Sequence, residues 1–220
     1  MSDLPHVPAA EAYERLRSGN QRFSSNVRSV DALLSQLNRA DLSEQQAPFA
    51  VIVGCSDSRA PAEIVFDQGL GDLFVVRVAG NVVAPTQVES VEFAASRFRT
   101  RLVVVMGHTR CGAIEATIED AFAGPDAGTA NHLGSIVGRI RPSVDALIAA
   151  GMGNDRAALA REAIRTNVHV SAEHLRHGSP LLESLIADDG LMIVGAEYDL
   201  ETGVVDFFDT PGRPADAHHR

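Results

Sequence analysis

Phe49-Ala50-Val51-Ile52-Val53-Gly54-Cys55-Ser56-Asp57-Ser58-Arg59 begins as an unbroken apolar run, stops at a glycine, and then delivers a thiol, a carboxylate and a guanidinium to one short loop. A β-branched run without polar alternation is the pattern of a parallel strand covered on both faces. Three more runs share that texture: Leu73-Phe74-Val75-Val76-Arg77-Val78, Leu102-Val103-Val104-Val105-Met106 and Leu191-Met192-Ile193-Val194. Helical spacing lies between them. Pro85 opens a segment in which Val88, Val91, Ala95 and Phe98 recur at helix intervals, and Asp155 to His177 carries Ile164, Val168, Ala172 and Leu175. Ser179-Pro180 supplies an N-cap and first-turn pair for Leu181 to Ala187. Strands alternating with helices predict an α/β fold with a mostly parallel central sheet of four strands flanked by helices. After Tyr198-Asp199-Leu200, a Glu201-Thr202-Gly203 turn returns the chain into Val204 to Phe208, adding one antiparallel edge strand near the C-terminus.

With 220 residues, 45% of them hydrophobic, the chain can bury one substantial core, and a single domain spanning 1–220 is expected. It divides into an N-terminal helical arm at about 9–45 and an α/β core at about 48–210. In the arm, Ala12, Leu16 and Phe23 share one face of a short helix interrupted at Gly19-Asn20, which packs onto a surface; Leu33, Leu34 and Leu37 mark a second helical pattern. A net charge of −10 with no basic stripe argues against nucleic acid or an anionic membrane as partner. No apolar run approaches the ~20 residues that span a bilayer, and Met1 to His6 lacks a basic region followed by an apolar core, so a cytoplasmic location is expected. Cys55 and Cys111 are the only cysteines. Two thiols cannot build a disulfide framework, which leaves metal binding or catalysis, with a single Cys55–Cys111 disulfide as the rival.

In a locally extended backbone Cys55, Asp57 and Arg59 project to the same side. The third apolar run ends in Gly107-His108-Thr109-Arg110-Cys111-Gly112, so Cys55 and His108 leave the carboxyl ends of two parallel strands, where open α/β sheets bind ligands. Cys111 follows His108 by three residues, at the start of a helix. Two thiolates and an imidazole make a first shell suited to one Zn2+ per chain, with a fourth position left for water. If Asp57 fills that position the metal is closed; if Arg59 holds the Asp57 carboxylate in a bidentate pair, water binds instead and zinc generates hydroxide near neutral pH. Taken singly each residue has a plainer reading: Cys55 as a small buried hydrophobe, His108 as a loop histidine, Asp57 with Arg59 as a surface ion pair.

The pair Cys55-Ser56-Asp57-Ser58-Arg59 and His108-Thr109-Arg110-Cys111-Gly112 resembles the signature of the β-class carbonic anhydrases. The resemblance runs through Gly19-Asn20-Gln21-Arg22-Phe23, Phe74-Val75-Val76-Arg77 with Gly80-Asn81, Ile140-Arg141-Pro142-Ser143-Val144, and Gly195-Ala196-Glu197-Tyr198-Asp199-Leu200. It implies reversible hydration of carbon dioxide to bicarbonate and a proton, by attack of zinc-bound hydroxide. By similarity Cys55, His108 and Cys111 ligate zinc, Asp57 is the conditional fourth ligand or hydroxide acceptor, and Arg59 fixes it. Phe74 and Ala79 align with pocket positions, and the Gly112 N–H and Gln46 amide with groups that orient substrate oxygens; alone, Phe74 reads equally as core and Gln46 as solvent-exposed. The family also implies a dimer or tetramer with an exchanged arm, against the plainer reading of a helix packed on its own chain. Gln46 resembles the variant of the family held open, and Ile52 stands where the switching variant carries tryptophan, so a bicarbonate site at Arg77 and Tyr198 is not expected. Phe93 departs from the family, which often has tyrosine there. Three other functions compete: hydrolysis of carbonyl sulfide or carbon disulfide, a zinc staple without catalysis, and thiol redox chemistry.

Overall fold

The computed structural model of the chain describes residues 7–35, 46–123 and 134–210. Helices α1 (Ala9–Ser24) and α2 (Val30–Ser35) precede strand β1 (Ala50–Gly54), the single-turn helix α3 (Ala62–Val65) and β2 (Leu73–Arg77). A 3-10 turn at Ala79–Asn81 leads into α4 (Pro85–Arg97), β3 (Leu102–His108), α5 (Gly112–Ala123) and α6 (Gly134–Ala149). Helices α7 (Arg156–His177) and α8 (Pro180–Asp188) are followed by β4 (Met192–Tyr198) and β5 (Val205–Asp209).

Among the described residues the strands form one five-stranded sheet in the order β2-β1-β3-β4-β5. Strands β2, β1, β3 and β4 pair in parallel, and β5 runs antiparallel to β4, as expected. Every residue of the inner strands β1 and β3 is buried, the reason their sequences do not alternate. Ile52, Val104, Met106 and Val194 face Ala12, Leu16 and Phe66 on one side. Val51, Val53, Val103 and Val105 face Val91, Val168, Ala172 and Leu175 on the other. Burying one such aliphatic side chain contributes roughly 1.5–3 kcal/mol, so these two layers carry the sheet. A third apolar cluster, with Val82, Ile114, Ile140, Leu159 and Ile164, lies around Cys55 and Cys111.

The caps form where expected: Asp155 accepts from the Ala157 and Ala158 N–H groups, and Ser179 Oγ from the Leu182 N–H. Two expectations need correction. Strand β3 outlasts its apolar run and continues through Gly107 and His108, because β4 keeps pairing with it as far as Tyr198. Helix α1 is not interrupted at Gly19-Asn20 but runs on to Ser24. Gly19 is there for closeness: a Cβ would lie 1.8 Å from the Phe66 carbonyl oxygen, so only glycine lets α1 approach α3. Asn20 follows, donating to the carbonyls of Val65 (3.1 Å) and Gly203 (2.8 Å) and accepting from the Val205 N–H (2.8 Å). Arg22 Nε donates to the buried Asp67 carboxylate at 2.6 Å. The arm helix thus docks on its own chain, with Ala12 and Leu16 fully buried. Leu37, like all of 36–45, lies outside the described residues. No helix among the described residues is long and apolar enough to cross a membrane.

Candidate metal centre

Strands β1 and β3 are neighbours in parallel, with Gly54 opposite Met106, so the residues that follow them emerge side by side. Cys55 comes directly after β1, and His108 is the last residue of β3. The chain then turns through Thr109 and Arg110, whose φ is 56°, and delivers Cys111 immediately before α5. The Cys111 carbonyl accepts from the Glu115 N–H, which fixes it as the helix cap. The donor atoms of Cys55, His108 and Cys111 lie within 4.8 Å of one another, and all three residues are buried. Tetrahedral bonding to one zinc at about 2.0–2.3 Å per ligand requires separations of about 3.5–3.8 Å, close to this arrangement. Neither thiol is in a disulfide, which removes the rival pairing.

The imidazole supplies the test of fit. His108 Nδ1 lies 2.9 Å from the Thr109 carbonyl oxygen, which can only accept, so Nδ1 carries the proton. Nε2 is left with its lone pair, buried and without a hydrogen-bond partner. An unsatisfied buried nitrogen normally costs about 1–3 kcal/mol, and a cation held with the two sulfurs would satisfy it. Asp57 Oδ2 is 3.9 Å from Nε2, too far for a hydrogen bond.

Asp57 and Arg59 reach each other by a route different from the extended one expected. The backbone bends, the Ala60 N–H donating to the Asp57 carbonyl, and both the backbone N–H and Nε of Arg59 donate to Asp57 Oδ1 at 2.9 Å. Arg59 Nη2 donates to Oδ2 at 2.7 Å, completing the bidentate pair. These bonds hold the Asp57 carboxyl well below the usual carboxylate range, the Arg59 side chain acting first. In the pair of thiols, the hydrogen bond from Cys111 pulls Cys55 down to about 4 against the effect of burial, helped by His108 and by the N–H groups of Asp57 and Gly80. Cys111 is pushed up by the same bond and by burial. Burial disfavours a charged His108, yet the neighbouring Cys55 thiolate outweighs it and the imidazole is raised. The centre therefore sets a Cys55 thiolate between the Cys111 thiol and the His108 imidazole.

Two supporting groups have roles that no local pattern announces. Arg77, at the end of β2, donates to the carbonyls of Cys55 (3.0 Å) and Asp57 (2.6 Å), so it braces the loop. Tyr198 is 4% exposed, inside the core beside Phe23. The Gly80 N–H donates to Cys55 Sγ at 3.3 Å. Ala79 neighbours that glycine and is half-buried; Gly112 opens α5, exposed, with nothing within 4 Å of where a Cβ would stand. The structure does not bring Gln46 or Phe74 to this centre. Gln46 is exposed and precedes β1, at the end of the strand opposite Cys55. Phe74 pairs with Val51, three residues short of the strand end, and packs against Phe93 and Phe98 of the α4 region. Of the other described histidines, His169 pairs with Asp209 and His177 with Glu173, both on α7.

A sequence model of the carbonic anhydrase family matches residues 50–205. The chain is 38% identical over 200 residues to carbonic anhydrase 2 of Mycobacterium tuberculosis, covering 91% of this chain and 93% of that one. It is 34% identical to a carbonic anhydrase of Mycolicibacterium smegmatis, covering 92% and 95%. In fold it is similar to the β-carbonic anhydrase CafA of Aspergillus fumigatus, with a TM-score of 0.72 at 22% identity over 92% of each chain. A tetrameric β-carbonic anhydrase of Sordaria macrospora superposes at 0.68, covering 89% of this chain and 95% of that one, with 22% identity. The family match, the identity to curated carbonic anhydrases and the shared fold agree, and the chain belongs to the β-carbonic anhydrase family.

Proposed function

We propose that this chain catalyses the reversible hydration of carbon dioxide to bicarbonate and a proton, with one Zn2+ held by Cys55, His108 and Cys111. The observation that carries this reading is the buried, unpartnered His108 Nε2 within reach of two free thiols. When bound there, zinc supplies a Lewis acid that makes water a nucleophile near neutral pH. The remaining work falls to the chain. Asp57 Oδ2 is 3.9 Å from His108 Nε2, where it accepts a hydrogen bond from water entering the centre. Arg59 keeps that carboxylate ionised and turned toward itself, which leaves the fourth position open. Arg77 fixes the carbonyls on either side of Ser56, so the loop holds its shape through the reaction. Ala79 and the Gly112 N–H border the space for a small apolar substrate.

Gln46 and Phe74 cannot serve this centre from within one chain, and we assign them to the centre of a second copy. The half-exposed Phe93, stacked on Phe74, supports an apolar face on which that copy sits. The protein is placed as a homo-oligomer in a compartment that keeps both thiols reduced. Metal analysis with stopped-flow hydration of carbon dioxide across pH 6 to 9 tests the reading. One zinc per chain with catalysis is expected; zinc-loaded protein without hydration activity at pH 8 to 9 would overturn it.

A further inference from the structure

Asn167 lies in the middle of α7, 2% exposed, with no sequence pattern linking it to the strand ends. Its Nδ2 donates to the Gly80 carbonyl at 2.8 Å, a contact spanning 87 residues. The same glycine donates its N–H to Cys55 Sγ at 3.3 Å. Gly80 has φ 68°, and a Cβ there would lie 2.8 Å from Ile140 Cδ1 and 3.1 Å from Ala113 Cβ, so the residue is wedged and must be glycine. A donor at the carbonyl end of Gly80 both orients that residue and, through the short 3-10 turn, keeps its N–H aimed at the sulfur.

We propose that Asn167 is a positioning residue that sets the electron donation of Cys55 to the metal through the backbone of Gly80. The proposal rests on the zinc reading of the cluster. An N–H directed at a metal-bound sulfur withdraws charge from it, and groups one shell out of a metal site typically change its affinity 10–100-fold when removed. Asn167 touches neither metal nor substrate. It acts by holding the carbonyl side of the one residue whose N–H touches a ligand, and it does so from a helix buried against the sheet.

The test uses the full-length protein loaded with cobalt or cadmium-113 in place of zinc. Asn167→Leu keeps the volume and removes the donor; Ser171→Ala, one turn further along α7 and also buried, is the control. In Asn167→Leu the thiolate-to-cobalt charge-transfer band is expected to move to lower energy, and chelator competition to show zinc held about 10-fold more weakly. Ser171→Ala is expected to match the parent in both. Cadmium-113 NMR of the parent checks the relay without any substitution: the Gly80 amide proton should couple to the metal through Cys55 Sγ. Should Asn167→Leu fail to fold, Asn167→Ser, too short to reach the Gly80 carbonyl, takes its place. A folded variant whose cobalt band and zinc affinity equal the parent's overturns the role of Asn167, as does the absence of the Gly80 coupling. A parent that takes up neither cobalt nor cadmium overturns the metal reading itself, so the two failures are distinguishable.

Discussion

Among the described residues, the donors to the Asp57 carboxylate all belong to Arg59. The guanidinium and the Arg59 N–H together occupy Oδ1, and Nη2 occupies Oδ2, so the carboxylate is oriented from one side and open on the other. Asp57→Asn should retain the metal, measured by elemental analysis, while hydration falls roughly 10²-fold, the lower end of what a positioned proton acceptor contributes. Full hydration activity in that variant would overturn the role given to Asp57. Cys111→Ser should instead lose the metal, because one of three donors is gone. The Cys-His-Cys cluster was legible in the sequence, since Cys55 and His108 come at the ends of strands whose apolar runs are plain and Cys111 follows three residues on, at the start of a helix. Arg77 and Gly80 were not legible as supports, because their contacts to Cys55 cross between elements and leave no period in the chain.

The elements show which local signals prevailed. Strand-like runs, the Pro85 start and the Ser179-Pro180 cap all survive, since each states a backbone preference that the sheet also wants. Gly19-Asn20 misleads as a breaker: glycine weakens a helix by only about 1 kcal/mol, less than the docking it permits. Asn20→Ala removes three hydrogen bonds to buried or part-buried backbone and should cost about 3 kcal/mol, read as a lower midpoint in urea with an unchanged slope. Pro142 lies inside α6 without ending it. Asp199 Oδ1 accepts from the Glu201 N–H, the Thr202 N–H and the Thr202 hydroxyl, the backbone bond of Thr202 acting first to lower its pKa. A depressed folded-state pKa stabilises above the unfolded value near 3.9 and is lost as the pH falls through the folded one. Asp199→Ala should therefore lower Tm by about 2–4 °C at pH 7, for a loss of about 1 kcal/mol, with a smaller difference in melts at pH 3.

For the molecule as a whole, the single chain places the Cys-His-Cys cluster and its supports together but leaves an aromatic face around Phe74, Phe93 and Phe98 beside an edge strand. Phe93 is 53% exposed and tops this group of three rings. Phe93→Arg should shift sedimentation toward the single chain and depress hydration while leaving bound zinc unchanged. If sedimentation does not move, the assignment of Gln46 and Phe74 to a second copy fails.

The bond from the Val205 N–H to Asn20 joins residues 185 positions apart. On the ribosome the first helix is made early and its anchoring hairpin late, so the helix cannot complete its docking until that hairpin has been synthesised. Closing so long a loop is slow in itself. The apolar stripe of Ala12 and Leu16 is thus only partly covered before then, and a nascent chain stalled before Gly203 should be cut by protease within that helix more readily than the finished chain.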